Sequence, residues 1–285
     1  MDHRTAAYQR ELGKTSQAVS ARIEKVWRSL PDYRDANRAL FLDNALPIIQ
    51  AGQERAVSLT SAYLSNLIGQ HSPVPLPYQL LTGAGVRNGM DPREVYSRPF
   101  TTLYTSIEKL GYSAAIEKAL ARLTSTADMD VAMSARDASV AFAQTTQVIR
   151  AWKRVAAPDC CAFCDDIDGA LVHSDEPAPL HNLCRCTVEP ATDEDIESGT
   201  FINMSDVMGD TQIREHGEMG PYIANADDHW TPVGDSSKWD KYREDAERFK
   251  ASDEEAYQKW LDNLDPGRRD FYAMPDEQFN AAYRP

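Results

Sequence analysis

The residues best suited to chemistry lie in one short window. Cys161-Ala-Phe-Cys164 is followed by His181-Asn-Leu-Cys184-Arg-Cys186, and Cys160 adjoins the first pair, so every one of the five cysteines falls inside it. Thiolate and imidazole are the ligands Zn²⁺ prefers, and a Cys-x₂-Cys knuckle followed roughly fifteen residues later by a second paired set is the spacing of a tetrahedral structural site. Cys161, Cys164, His181, Cys184 and Cys186 are thus five candidate ligands for four seats. Filling every seat from protein leaves no open position for a reacting water, so the site reads as structural.

Other uses of the thiols compete with zinc. Disulfides between the two ends of the window would need an oxidising compartment, but the cysteine count is odd and the start, Met-Asp-His-Arg-Thr, has no apolar leader. Inert buried thiols would be scattered along the chain rather than gathered in one loop. Cys160 with Cys164 is an alternative register for the first knuckle, although Cys161-x₂-Cys164 is tighter. In the second set, His181 and Cys184 are a knuckle-like step apart, whereas Cys184 and Cys186 would share one face of an extended segment. One of these three is expected to stay off the metal. His173 reads as a polar strand position, and His216, among glycines, as a turn residue.

The order of the ligands limits the chemistry. A zinc deaminase needs His-x-Glu ahead of its cysteine pair, and a zincin needs His-Glu-x-x-His; neither occurs. Nor is there a Gly-x-Ser-x-Gly elbow. No catalytic residue is assigned. The competing class is a metal-dependent or unrecognised hydrolase or transferase, drawing on His216 and Glu218.

Charge is unevenly distributed. The chain carries 30 Lys/Arg against 44 Asp/Glu, of which residues 1–190 hold 20 and 21, leaving 10 and 23 for residues 191–285. The net charge of −14 therefore belongs almost wholly to the C-terminal third. Nucleic-acid binding depends on cations that displace counterions from phosphate, and only Arg150, Lys153, Arg154 and Arg185 lie near the knuckles. Sequence-specific nucleic-acid binding is not expected. No apolar run approaches the ~20 residues of a membrane span, so a soluble, intracellular protein without membrane contact is expected.

The elements that must position the window follow from periodicity. Tyr8, Leu12, Val19, Ile23 and Val26 predict an amphipathic helix over about 5–30, ending near Pro31. A second helical stretch begins near Asp32, with Pro47 either kinking it or opening a third helix. The prolines of His71–Pro77 predict a connector. Asp91-Pro-Arg-Glu94 supplies an N-cap for a helix through Tyr96, Phe100, Leu103 and Leu110, closed by Gly111. Two further helices are expected over about 113–123 and 128–148. Beyond Ile149 the pattern alternates: Arg150–Val155, Ala170–His173 and Thr187–Glu189 read as strands, with Asp168-Gly169 as a turn. A small β-meander with the knuckles at its turns is expected, and the metal would give it stability that its own core cannot. Trp239, Tyr242, Phe249, Tyr257 and Trp260 suggest one or two amphipathic helices in the acidic tail.

At these residues the chain resembles a known family. Cys161-x-x-Cys164, Asp168-Gly169 and Pro179-Leu-His181-x-x-Cys184-Arg-Cys186, preceded by the strand Trp152–Val155, are similar to the C-terminal signature of the Mu F-like minor head proteins (phage head morphogenesis proteins) of tailed bacteriophages. Val95–Pro99, Ala132–Arg136 and His216–Pro221 are similar to the versions found in phages of actinobacteria. The resemblance spans about residues 90–222 and is strongest over 150–190. It implies a non-enzymatic minor capsid protein of the virion, acting in head assembly or genome delivery. Its implied partners are the portal protein and the major capsid or scaffolding protein, at the capsid interior or portal vertex, with a period in the host cytoplasm during assembly.

The expected fold is mainly α with a small α+β module. A helical body over 1–148 precedes a zinc-clasped β-meander over 149–192 and an acidic, partly helical extension over 193–285.

Overall fold

The structure is a computed structural model that describes residues 3–158, 160, 164–165, 167–176, 178, 185–199, 201, 213–216, 220–223, 250–251, 254 and 257–258. Within them the protein is mainly helical, with a small three-stranded antiparallel sheet. Met1–Asp228 form one compact unit and His229–Pro285 a second.

The first helix, α1 (His3–Arg28), forms where the periodic stripe predicts it. Tyr8, Leu12, Val19, Ile23 and Trp27 are buried along one face, and Lys25 and Arg28 stand in its last turn, where cations complement the helix dipole. Helix α2 (Asp35–Leu67) continues past Pro47 as one element, so no third helix opens there. An interior proline costs about 3 kcal/mol. That cost is offset by core contacts on both sides, from Phe41, Leu42 and Ala45 before it to Ile49, Ala56 and Val57 after it. The two helices approach closely at Gly52, where a β-carbon would come within 2.3 Å of Val19 Cγ2.

After the proline-rich connector come α3 (Tyr78–Leu81) and a single 3₁₀ turn over Gly85–Arg87. Asp91 then caps α4 (Pro92–Val95), its carboxylate accepting the Arg93 N–H at 2.8 Å. The expected single helix to Leu110 is in fact two, because α5 (Arg98–Leu110) begins afresh after Tyr96 and Ser97. Pro99 has no N–H to give to Val95, which stops the first helix and suits the start of the next.

The last stretch differs in the opposite sense. In place of two helices, α6 (Tyr112–Thr146) is one of 35 residues. The linking segment Thr124-Ser-Thr-Ala127 lacks Gly and Pro, and the hydroxyls of Thr124 and Thr126 donate to Leu120 O and Arg122 O within the helix. The bundle closes on an aromatic cluster in which Trp27 lies 5.4 Å from Phe41 and 5.0 Å from Phe100, both edge-on.

The strands are β1 (Ala151–Val155), β2 (Leu171–His173) and β3 (Thr187–Pro190). Their order is β2-β1-β3, with both pairings antiparallel, so the sheet is not the meander expected from sequence. A meander would put the second strand in the middle. Here β1 takes that place, as its burial requires: Ala151, Trp152, Arg154 and Val155 are all buried, which suits a strand partnered on both sides.

The sheet is bound to the helices by polar contacts as well as apolar packing. Tyr63 on α2 donates to Val188 O at 3.3 Å, and Thr5 on α1 donates to the Glu189 carboxylate. The acidic extension starts with α7 (Asp193–Ser198), closed by a capping box between Thr192 and Asp195. It is tied to β1 by Lys153–Asp195 at 2.7 Å and to the residue before β1 by Arg150–Asp193 at 2.5 Å. A hairpin of β4 (Ile213–His216) and β5 (Gly220–Ile223) follows. Most of the tail segment expected to be helical lies outside the described residues. Of its described positions, 250, 251, 254, 257 and 258 are helical, and Tyr257 is buried.

Candidate metal centre

The end of β1 gathers the described part of the cysteine window. Arg154 exchanges backbone hydrogen bonds with the return turn, its N–H donating to Ala170 O at 2.9 Å and its carbonyl accepting from Gly169 N at 3.0 Å. Gly169 has φ +78°, a conformation that favours glycine, and Asp168 beside it accepts the Ala156 N–H at 2.7 Å. The expected Asp168-Gly169 turn is therefore present and closes the β1–β2 connection. It also sets the single turn at Cys164–Asp165 against β1 through Asp168 N–H to Asp165 O.

Two of the candidate ligands reach this place from different parts of the chain. Cys164 is fully buried, and Arg154 Nη2 donates to its sulfur at 3.2 Å. Cys186 immediately precedes β3, and because Val155 pairs with Thr187 it comes alongside the residues that follow β1. There the Ala157 N–H donates to its sulfur at 3.4 Å. Cys160 is buried nearby, its N–H bonded to Ala157 O at 3.0 Å. Cys160, Cys164 and Cys186 are not joined to one another by disulfides.

Cys161, His181 and Cys184 lie outside the described residues. Among the described residues no three His, Cys, Asp or Glu side chains group as a metal site. The chemistry of the two placed sulfurs nevertheless fits a metal clasp. Each receives an N–H donor, and such donors favour thiolate over thiol and orient its remaining lone pairs. His173 is exposed at the end of β2, its ring stacked 4.5 Å from that of Phe201. His216 is the last residue of β4, paired in register with Gly220, so it belongs to a strand end rather than to the turn itself.

Sequence reading missed two residues that build this place. Gln9 on α1 donates its carboxamide to Val155 O at 3.2 Å and Ala156 O at 3.4 Å, supplying donors to carbonyls at the end of the central strand. On a helical wheel it is only a polar residue beside Tyr8. Arg154 carried a clearer signal, since strand alternation puts it on the face of Trp152, where a cation must be explained.

A second polar cluster lies in the helical body. Asp130 on α6 accepts from Arg87 Nε at 2.7 Å and Nη2 at 2.5 Å on one oxygen, and from the Tyr96 hydroxyl at 2.7 Å on the other. All three are buried, beside a cavity of about 180 Å³ that Gln53 and Ile49 also line. Burial, reinforced by the Asp130 charge, holds the Tyr96 hydroxyl well above its usual range. The cluster pins the segment from the 3₁₀ turn to α4 onto α6.

No helix among the described residues is long and apolar enough to cross a membrane. No protein-family model, curated protein or solved structure matches this chain.

Proposed function

We propose that the chain is a non-enzymatic minor capsid protein of a tailed bacteriophage, acting in head assembly or genome delivery near the portal, with one structural zinc ion clasping its small sheet. The observation that supports this reading is that two of the window's cysteines border the C-terminal end of β1, Cys164 accepting from the Arg154 guanidinium and Cys186 from the Ala157 N–H. They belong to the Cys/His window whose order resembles the Mu F-like signature.

The metal would be held by four of Cys161, Cys164, His181, Cys184 and Cys186. When bound, it supplies cross-linking and no reacting water. Strands of five, three and four residues bury too little to be stable alone, so a clasp between the turn after β1 and the start of β3 has a clear physical use. The helical body offers the surfaces for the portal, major capsid or scaffolding protein. The acidic extension, repelled by packaged DNA, suits a face that must not adhere to it.

Analysis of purified phage heads tests the reading. The chain is expected to co-purify with portal subunits and to hold one tightly bound zinc per copy. Infectious heads assembled normally without the chain would refute the assembly role. A zinc with an open position and a bound water would replace it with a hydrolytic one.

A further inference from the structure

We propose that the cavity between α2, the segment over residues 83–96 and α6 binds a small, uncharged carboxamide on an apolar body, its carbonyl taken by Gln53 and its amide N–H by Tyr96. The site is independent of the zinc reading, since none of its residues belongs to the cysteine window.

The cavity follows from helical spacing. Leu46, Ile49, Gln50 and Gln53 recur at i, i+3, i+4 and i+7, so one face of α2 forms the first wall. Arg87, Pro92 and Tyr96 contribute to the second, and Asp130 of α6 supplies the third. Fixed contacts hold these walls in place. Arg93 reaches Asp43 on α2 at 2.9 Å, and Arg87 and Tyr96 reach Asp130, each at 2.7 Å. The gap of about 180 Å³ is thus built into the fold. A cavity of about 150 Å³ holds benzene, so a single ring with one small substituent is the size this one takes.

Its polar groups select what enters. Gln53 is 1% exposed, and its Oε1 accepts the Gly83 N–H at 2.9 Å. A backbone N–H can only donate, so the carboxamide has one orientation and presents Nε2 at its other end. That Nε2 makes no hydrogen bond among the described residues, and a buried donor calls for an acceptor. Tyr96 is equally buried and donates its proton to Asp130, so its oxygen has only lone pairs to offer an occupant. Burial and the Asp130 charge keep that proton on the hydroxyl well above neutral pH. One donor and one acceptor beside the apolar side chains of Leu46, Ile49 and Pro92 complement a primary carboxamide on an apolar ring.

Charge argues for an uncharged ligand. The lining carries two cations, Arg87 and Arg93, and two anions, Asp91 and Asp130, and so no formal net charge. An ion entering here would give up its hydration without a net opposite charge to receive it.

The test uses the isotope-labelled full chain, titrated with benzamide, benzoate, benzylammonium and toluene and followed by backbone amide shifts. Benzamide is expected to bind with a dissociation constant of about 1 mM or below and to shift signals within residues 46–53, 83–96 and around Asp130. The two ions and toluene are expected to bind at least roughly tenfold more weakly, the ions for want of a counter-charge and toluene for want of hydrogen bonds. Gln53→Met, which removes the donor at similar volume, should weaken benzamide roughly 3–10-fold. No shift at these residues with about 10 mM benzamide would overturn the proposal. Equal affinity for all four probes would do the same, as would unchanged benzamide affinity in a folded Gln53→Met chain. If that variant does not fold, Leu46→Phe decides, because it fills the cavity from a half-buried position: lost benzamide binding supports the site, and retained binding refutes it. None of these outcomes bears on whether the chain binds zinc.

Discussion

Gln9 donates to Val155 O across 146 residues of sequence, at 3.2 Å, and so joins the first helix to the end of the central strand. The bond is buried, and the same amide also reaches Ala156 O. Removing a buried donor leaves its acceptors desolvated, which costs about 1–3 kcal/mol. Gln9→Leu should therefore lower the unfolding free energy by about that amount, measured by urea titration. It should also speed amide exchange in residues 151–157, the strand end that α1 covers, more than in α5.

Asp130 is a more drastic point of failure. Asp130→Asn leaves the Arg87 guanidinium buried without its carboxylate, and breaking a buried pair from one side costs about 3–5 kcal/mol. The double variant Asp130→Asn with Arg87→Met should recover part of the loss, because no uncompensated charge remains. Denaturant midpoints of the wild type, Asp130→Asn, Arg87→Met and the double variant form a double-mutant cycle, and additive losses would show that the pair is not coupled.

Gly52 tests the contact between α1 and α2. Gly52→Ala would push a methyl to 2.3 Å from Val19 Cγ2, and overpacking of this kind costs about 1–3 kcal/mol. Val19 is β-branched and cannot turn away cheaply. Adding Val19→Ala makes room, so the double variant should melt at a higher temperature than Gly52→Ala alone.

The docking of α7 on β1 should depend on acid. The hydrogen bond from Lys153, together with those from Thr192, lowers the Asp195 carboxyl from 3.8 to about 2. A carboxylate whose folded value is depressed stabilises the folded state fully above its unfolded value and loses that contribution as pH falls through the folded one. The contribution should thus persist at neutral pH and fade between about pH 4 and pH 2. Thermal melts of wild type and Asp195→Asn should differ at pH 6 and converge near pH 2. A constant difference across that range would disprove the linkage.

Metal removal should act locally. Under the zinc reading, chelation is expected to disorder the region around β1–β3 while the helical signal of α1, α2 and α6 largely remains. Cys164→Ser should behave in the same way. Hydrogen exchange resolved by segment distinguishes this from global unfolding, and a chain indifferent to chelator would count against the clasp.

Much of the fold was legible before any coordinates, because its signals are local. The stripe Tyr8, Leu12, Val19, Ile23 marks α1, Asp91 followed by proline marks a helix start, and Asp168-Gly169 marks the turn into β2. Such features depend on a few adjacent residues and their steric preferences, so the sequence by itself determined where most helices and all three strands of the sheet lie. It also placed the thiols in one window. Boundaries inside long helical stretches were less legible. Pro47 is tolerated where propensity alone would break α2, and Thr124–Ala127 continues α6 where a break was expected, because packing on neighbouring helices outweighs local preference.

Only the tertiary structure decided which strand is central, that Arg154 is buried against Cys164, and that Cys186 lies against Ala157 just past the end of that strand. The sheet is held against the helices by distant contacts, Tyr63 at Val188 and Gln9 at Val155. Those contacts join residues more than a hundred positions apart. No local pattern encodes such a pairing: it arises when the whole chain buries its apolar surface and must satisfy the polar groups buried with it.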